Sequence, residues 1–130
     1  MSAKFIGSGN LGNEPALRQV TVGNERRPVA DMRVYFDRPK PQGDGSFVDE
    51  GGFWLTVSTW GRLGEHCARV LNKGMRVRVE GVLWHNEWEG EEGPRQEVRL
   101  TADHVTLELG RVEAIHMKQR GGDDHADATE

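Results

Sequence analysis

Apolar and polar residues alternate along several short stretches of this chain, and a period of two marks a half-buried strand. Residues 53–60 read Phe53-Trp54-Leu55-Thr56-Val57-Ser58-Thr59-Trp60. Phe53, Leu55 and Val57 make a face fit for a core, whereas Trp54, Thr56, Ser58 and Trp60 fall on the opposite, otherwise polar face. Residues 29–36 alternate likewise, with Ala30, Met32, Val34 and Phe36 on one side and Asp31, Arg33 and Tyr35 on the other. Over residues 75–83, Met75, Val77, Val79 and Leu83 point inward and Arg76, Arg78 and Glu80 outward, a parity that also sends Trp84 outward. Residues 98–107 make the last strand, with Val98, Leu100 and Ala102 on one face and a bulge near Asp103. Extended pieces are also expected at residues 4–7, where Gly7, Gly9 and Gly12 permit a bend, and at residues 17–22, which end in a Gly23-Asn24 turn.

The period changes once. Leu63, Cys67, Val70 and Leu71 recur at helical spacing, so a helix is predicted over residues 63–72, stopped by Lys73-Gly74. Cys67 then reads as a small core residue. Residues 37–52, with Arg38-Pro39-Lys40-Pro41 and four glycines, read as a long loop. A polar hairpin follows Trp84, with Trp88 near its rise and Gly90-Glu91-Glu92-Gly93-Pro94 at its tip. A bent first strand, strands two and three, one helix, then strands four and five is the order of an all-β, five-stranded OB-fold Greek-key barrel. Residues 1–109 are assigned to that barrel and residues 110–130 to a flexible acidic tail, where apolar residues thin out and disorder is expected.

Charge at first argues against a polyanionic partner, since 17 basic residues face 21 acidic ones for a net charge of −4. The distribution is uneven. Residues 1–40 hold Lys4, Arg18, Arg26, Arg27, Arg33, Arg38 and Lys40, and residues 62–78 hold Arg62, Arg69, Lys73, Arg76 and Arg78 against Glu65 alone. Acid concentrates between Glu87 and Glu97 and in the final residues, so a local field can be positive while the total is negative. The single cysteine excludes an internal disulfide framework and fits a reducing, cytoplasmic setting. No stretch approaches the roughly 20 apolar residues that span a bilayer, and the first residues lack a signal pattern.

Large flat side chains shown to water on a rigid sheet suit a flat partner. Bases are the commonest, and stacking one base on one ring is worth about 1–3 kcal/mol. A lone outward Trp can equally pack beneath a loop, a helix or another subunit; two on one face favour a platform. Trp54, Trp60, Trp84 and Trp88 are the candidate stacking residues, with Tyr35 sharing the outer face. Arg33, Arg62, Lys73, Arg76 and Arg78 are the candidate phosphate contacts.

Four segments in order carry a family resemblance. Gly9-Asn10-Leu11-Gly12-Asn13-Glu14-Pro15-Ala16-Leu17-Arg18 resembles the opening of bacterial single-stranded DNA-binding proteins, and Val29-Ala30-Asp31-Met32-Arg33-Val34 is similar to their second strand. Trp54 to Leu63 resembles their W-x-x-V-x-x-[FW]-G-x-L segment, and Leu71 to Gly81 their L-x-K-G-x-x-V-x-V-E-G. The resemblance implies a non-enzymatic homotetramer, else a dimer, that coats single-stranded DNA in replication, recombination and repair. It implies that Trp54, Trp60 and Trp88 stack bases and that Arg62 and Lys73 lie near the DNA path. Three departures stand out. Asp37-Arg38-Pro39-Lys40 replaces a further aromatic, Trp84 stands where a basic residue is usual, and Leu55 replaces a His tied to tetramer stability. The tail also lacks the acidic-Pro-Phe hook that recruits other replication or recombination proteins, which resembles an accessory copy from a plasmid or other mobile element.

Other classes fare worse. His66, His85, His104 and Cys67 have no metal-ligand spacing, and no nucleophile elbow or phosphate loop appears, so neither catalysis nor a cofactor is expected. A primosome-type or other protein-interaction OB module is the alternative, its aromatic face meeting a partner chain. RNA or an oligosaccharide would suit the same face.

Overall fold

The computed structural model describes residues 3–120; the expected disorder at the end of the acidic tail lies outside the described residues. Eight strands and one helix follow in the order β1 (Ala3–Leu11), β2 (Ala16–Val22), β3 (Glu25–Phe36), β4 (Pro39–Pro41), β5 (Phe47–Asp49), β6 (Phe53–Trp60), α1 (Gly61–Val70), β7 (Arg76–Gly90) and β8 (Gly93–Leu107). The main sheet runs β1-β7-β8-β6-β3-β2, and a further pairing of β1 with β3 closes β1, β3, β6, β8 and β7 into a five-stranded ring. All pairs in the ring are antiparallel except β6 with β8, where Val57 lies opposite Leu100. Strand β2 is a flap on the edge of β3, joined through the Gly23-Asn24 turn. The single helix sits between the third and fourth barrel strands, as the OB-fold requires.

The ring is filled by one alternating set. Leu11, Met32, Val34, Phe36, Leu55, Val57, Val77, Val79, Leu100 and Ala102 are buried in a single cluster, with Cys67 and Leu71 contributed by α1 and the residue after it. The helix packs close because Gly64 has no side chain; a Cβ there would come 2.3 Å from the Thr59 carbonyl oxygen. Burial pushes the Cys67 thiol pKa up, against a hydrogen bond with Thr59, which suits an inert core thiol. The expected bulge is present. β7 and β8 shift register between Glu80 and Gly81, whose partners are His104 and Ala102, so Asp103 is the extra residue.

Several expected core positions are not buried. Val70 is exposed, because α1 ends there and Leu71 takes the inward place. Phe53 and Val98 are also exposed. Phe53 sits at the mouth of the barrel against Phe5 and Phe36. Val98 lies past the stretch of β8 that pairs with β6, Arg99 to Ala102, in a two-stranded arm that ends at Gly90 and Gly93. The expected long loop holds a small hairpin of its own, β4 with β5. Residues 110–120 form neither helix nor strand.

Candidate nucleic-acid interface

The outer face of the barrel is ordered by strand register, which places residues from four strands in rows. Arg33 lies opposite Thr56, Thr56 opposite Arg99, and Arg99 opposite Trp84. The next row is Asp31, Ser58, Thr101 and Val82. Tyr35 is opposite Trp54, and Val29 is opposite Trp60. Trp54, Trp60 and Trp84 therefore share one face with Arg33 and Tyr35. Trp88 continues that face along the arm, on the same parity of β7 as Trp84. Trp54 is 48% exposed, Trp84 37% and Trp88 44%, while Trp60 is partly buried.

A polar network holds the middle of this face. Arg18 Nε donates to Asp31 Oδ2 at 2.6 Å, and the Ser58 hydroxyl donates to Asp31 Oδ1 at 2.7 Å. Arg99 reaches Ser58 at 3.3 Å and Asp31 at 3.5 Å, and pairs with Glu97 at 3.6 Å. Partial burial raises the Asp31 pKa, but the hydrogen bonds from Arg18 and Ser58 and the two arginine charges outweigh it, so the carboxyl titrates below its ordinary value. Trp84 Nε1 donates to the Thr101 hydroxyl at 2.8 Å, which fixes that indole. Arg33 donates to the Thr56 hydroxyl at 3.1 Å.

Three indoles carry a guanidinium over the ring. Arg27 is 5.6 Å from the Trp60 centroid, Arg33 5.5 Å from that of Trp54, and Arg99 5.9 Å from that of Trp84. At exposed sites such contacts are worth about 0.5–1 kcal/mol. Trp54 also leans on Tyr35, whose ring centroid is 5.3 Å away. Tyr35 in turn donates to Asp49 at 2.7 Å and accepts from the Gly52 amide at 3.1 Å. The bond to Asp49 raises the Tyr35 pKa and lowers the Asp49 pKa.

The remaining candidates disperse. Arg76 has its guanidinium committed to Asp37 at 3.0 Å and Glu108 at 2.9 Å, with Asn10 as a further acceptor. The Asp37 hydrogen bond raises its pKa. Lys73 and Arg76 line a separate concavity of about 1460 Å³ with Phe47, Glu108 and Ile115, away from the tryptophans. Arg78 is exposed opposite Ser8 of β1 and lies 3.9 Å from Glu80. Arg62 is exposed in the first turn of α1, directly after Trp60 and Gly61. Sequence reasoning passed over Arg99 and Arg27. The inward parity of Leu100 could have placed Arg99 outward; nothing in the pattern ties Arg27 to Trp60. Among the described residues no cluster of three or more His, Cys, Asp or Glu could hold a metal ion, and no helix is long and apolar enough to cross a membrane.

The ring order and helix placement are found in known proteins. A profile of the Single-strand binding protein family matches residues 3–108. The chain belongs to the single-strand binding protein family. It is 25% identical over 117 residues to single-stranded DNA-binding protein 2 of Chlorobaculum tepidum, covering 90% of this chain and 73% of that one. Identity with single-stranded DNA-binding protein 2 of Streptomyces coelicolor is 34% over 119 residues, but this chain spans only 56% of that protein's length. Among solved structures, a small single-stranded DNA-binding protein from Streptomyces coelicolor superposes with a TM-score of 0.71 at 20% identity, covering 85% of this chain and 98% of that one. That likeness establishes the family's barrel in this chain.

Proposed function

We propose that this chain binds single-stranded DNA without sequence preference, stacking bases on Trp54, Trp60, Trp84 and Trp88 and pairing phosphates with the cations beside them. The observation that carries the reading is the shared outer face, where register rather than chance puts Arg33 of β3, Trp54 and Trp60 of β6 and, across β8, Trp84 of β7 on one side of the sheet. Duplex DNA hides its base faces, so the preference for single strands follows from geometry. Stacking dominates and phosphate contacts are secondary: Arg33 and Arg62 supply exposed charge close to the indoles, and Arg78 and Lys73 lie further along. Arg76 serves as a clamp between β7, Asp37 and Glu108, and joins the DNA path only where a phosphate displaces those carboxylates. The protein works by occupancy and not by catalysis, covering strands opened in replication, recombination and repair. It does so as a homo-oligomer, tetramer before dimer, and exposed Ile6 and Val82 on the β1–β7 face are the apolar surface such an assembly would cover.

The test is tryptophan fluorescence during titration with oligo-dT at low and high salt, with duplex DNA as control. Strong quenching that survives salt is expected with dT and little with duplex. In the Trp54→Ala, Trp60→Ala double variant each lost stack is expected to weaken binding by about 1–3 kcal/mol. Unchanged affinity in that variant overturns the platform reading and leaves the aromatic face for a protein partner.

A further inference from the structure

If bases stack on these indoles as proposed, the ring faces must be free when DNA arrives, and in the unbound protein three are not. A ring face taken by a guanidinium is closed to a base, and three of the four outward indoles are so covered. What else holds each arginine differs. Arg99, over Trp84, also faces Asp31, Glu97 and Ser58, and its Nε is buried without a partner, so it is wedged in place. Arg27, over Trp60, is exposed and has no carboxylate in ion-pair range among the described residues. Arg33, over Trp54, is exposed and held otherwise only by the neutral Thr56 hydroxyl.

A guanidinium on an exposed ring is weakly held, whereas its planar fork matches a phosphate and makes a charge-assisted, bidentate pair. A nucleotide brings both replacements at once: a base for the ring and a phosphate for the arginine. We propose that Arg27 and Arg33 are exchangeable caps, leaving Trp60 and Trp54 for the phosphodiester of a single strand as its bases take the vacated ring faces. Arg99 does not exchange, because its carboxylates hold it. Trp84 therefore offers a base one face only. The device keeps the two indoles from presenting bare apolar faces to water, and it couples stacking and charge neutralisation at one subsite.

The coupling has a signature in salt dependence. Each phosphate pairing on a single strand adds a slope of about −0.7 to log affinity against log salt. Removing a cap should flatten the slope by about that amount, which shifts the variant-to-wild-type affinity ratio about fivefold over a tenfold rise in salt. Removing it also opens the ring in advance. Arg27→Ala should therefore bind oligo-dT more weakly than wild type at low salt and as tightly or more tightly at high salt, so that the two lines cross. Arg33→Ala should behave alike. In a Trp60→Ala background the high-salt gain from Arg27→Ala should vanish, since there is no ring to uncover. A line for Arg27→Ala that stays parallel to wild type, whether coincident or uniformly weaker, overturns the exchange while leaving the stacking reading intact. Wild-type protein that shows no quenching by oligo-dT overturns both.

Discussion

An outward indole needs a bed as well as a partner, and at Trp54 the bed is a residue with no side chain. A Cβ on Gly12 would lie 2.5 Å from Trp54 Cζ3 and 2.6 Å from Cη2. Gly12 does not adopt a positive φ, so Gly12→Ala is a steric change without backbone strain. It is expected to push the indole off its seat and weaken oligo-dT binding by up to about 1–3 kcal/mol, the worth of one stack, with the melting temperature nearly unchanged. Alternation alone marks Gly12 only as a bend, because residues 12 and 54 meet through the fold and no local period links them. Asp31 makes a different residue-scale case. Its folded pKa lies below the ordinary value, so its stabilising charge is fully present above that value and is lost as pH falls through the folded pKa. Melting temperature measured against pH on the acid side should fall more gently in Asp31→Asn than in wild type. The alternation that put Asp31 outward was legible; its place at the centre of an arginine network depended on Arg18 and Arg99 arriving from two other strands.

Elements, too, are fixed by contacts their own sequence hides. Pro39 and Pro41 cannot donate to a ladder and speak against a strand, yet β4 and β5 pair. Side chains do the organising: Asp49 accepts from the Arg38 and Gly51 amides and from the Tyr35 hydroxyl, which anchors the hairpin to β3. Tyr35 is the only tyrosine in the chain, so an absorbance titration in alkali reads it alone. Its midpoint should lie above the ordinary tyrosine value and move back toward it in Asp49→Asn. The anchor is complete below the ordinary tyrosine pKa and above the ordinary Asp pKa; it is lost as Tyr35 ionises at high pH and as Asp49 protonates at low pH. Tyr35→Phe removes the oxygen that the Gly52 amide donates to, and faster hydrogen exchange at Gly52 is the expected result. The helix illustrates the opposite case. Leu63, Cys67 and Leu71 form a stripe readable at sight; Val70 fits the same spacing, but the helix ends there and Leu71 takes the inward place.

Across the whole molecule the decisive contact is the parallel seam where Val57 meets Leu100, both fully buried. Leu100→Ala is expected to cost about 2–5 kcal/mol and to lower the melting temperature of the entire barrel, not merely loosen one edge. The order of elements, and hence the barrel, was legible because β3, β6 and the barrel portions of β7 and β8 each kept their own alternation. Ring closure was not, since it joins residues distant in the chain. The length of the arm was hidden as well, because Trp88 and Glu87 to Glu97 give no apolar period to follow. Closure at that seam also sets a schedule. Gly9 pairs with both Phe36 and Val77, and β6 finds its second neighbour only in the last strand, so the pairings that close the ring join residues distant in the chain and folding should be slow for the domain's size. During synthesis, at roughly 5–20 residues per second, β6 leaves the ribosome seconds before β8 does. Its inner row of Leu55 and Val57 is uncovered for that interval, and the nascent chain is most prone to stray association before Leu100 arrives.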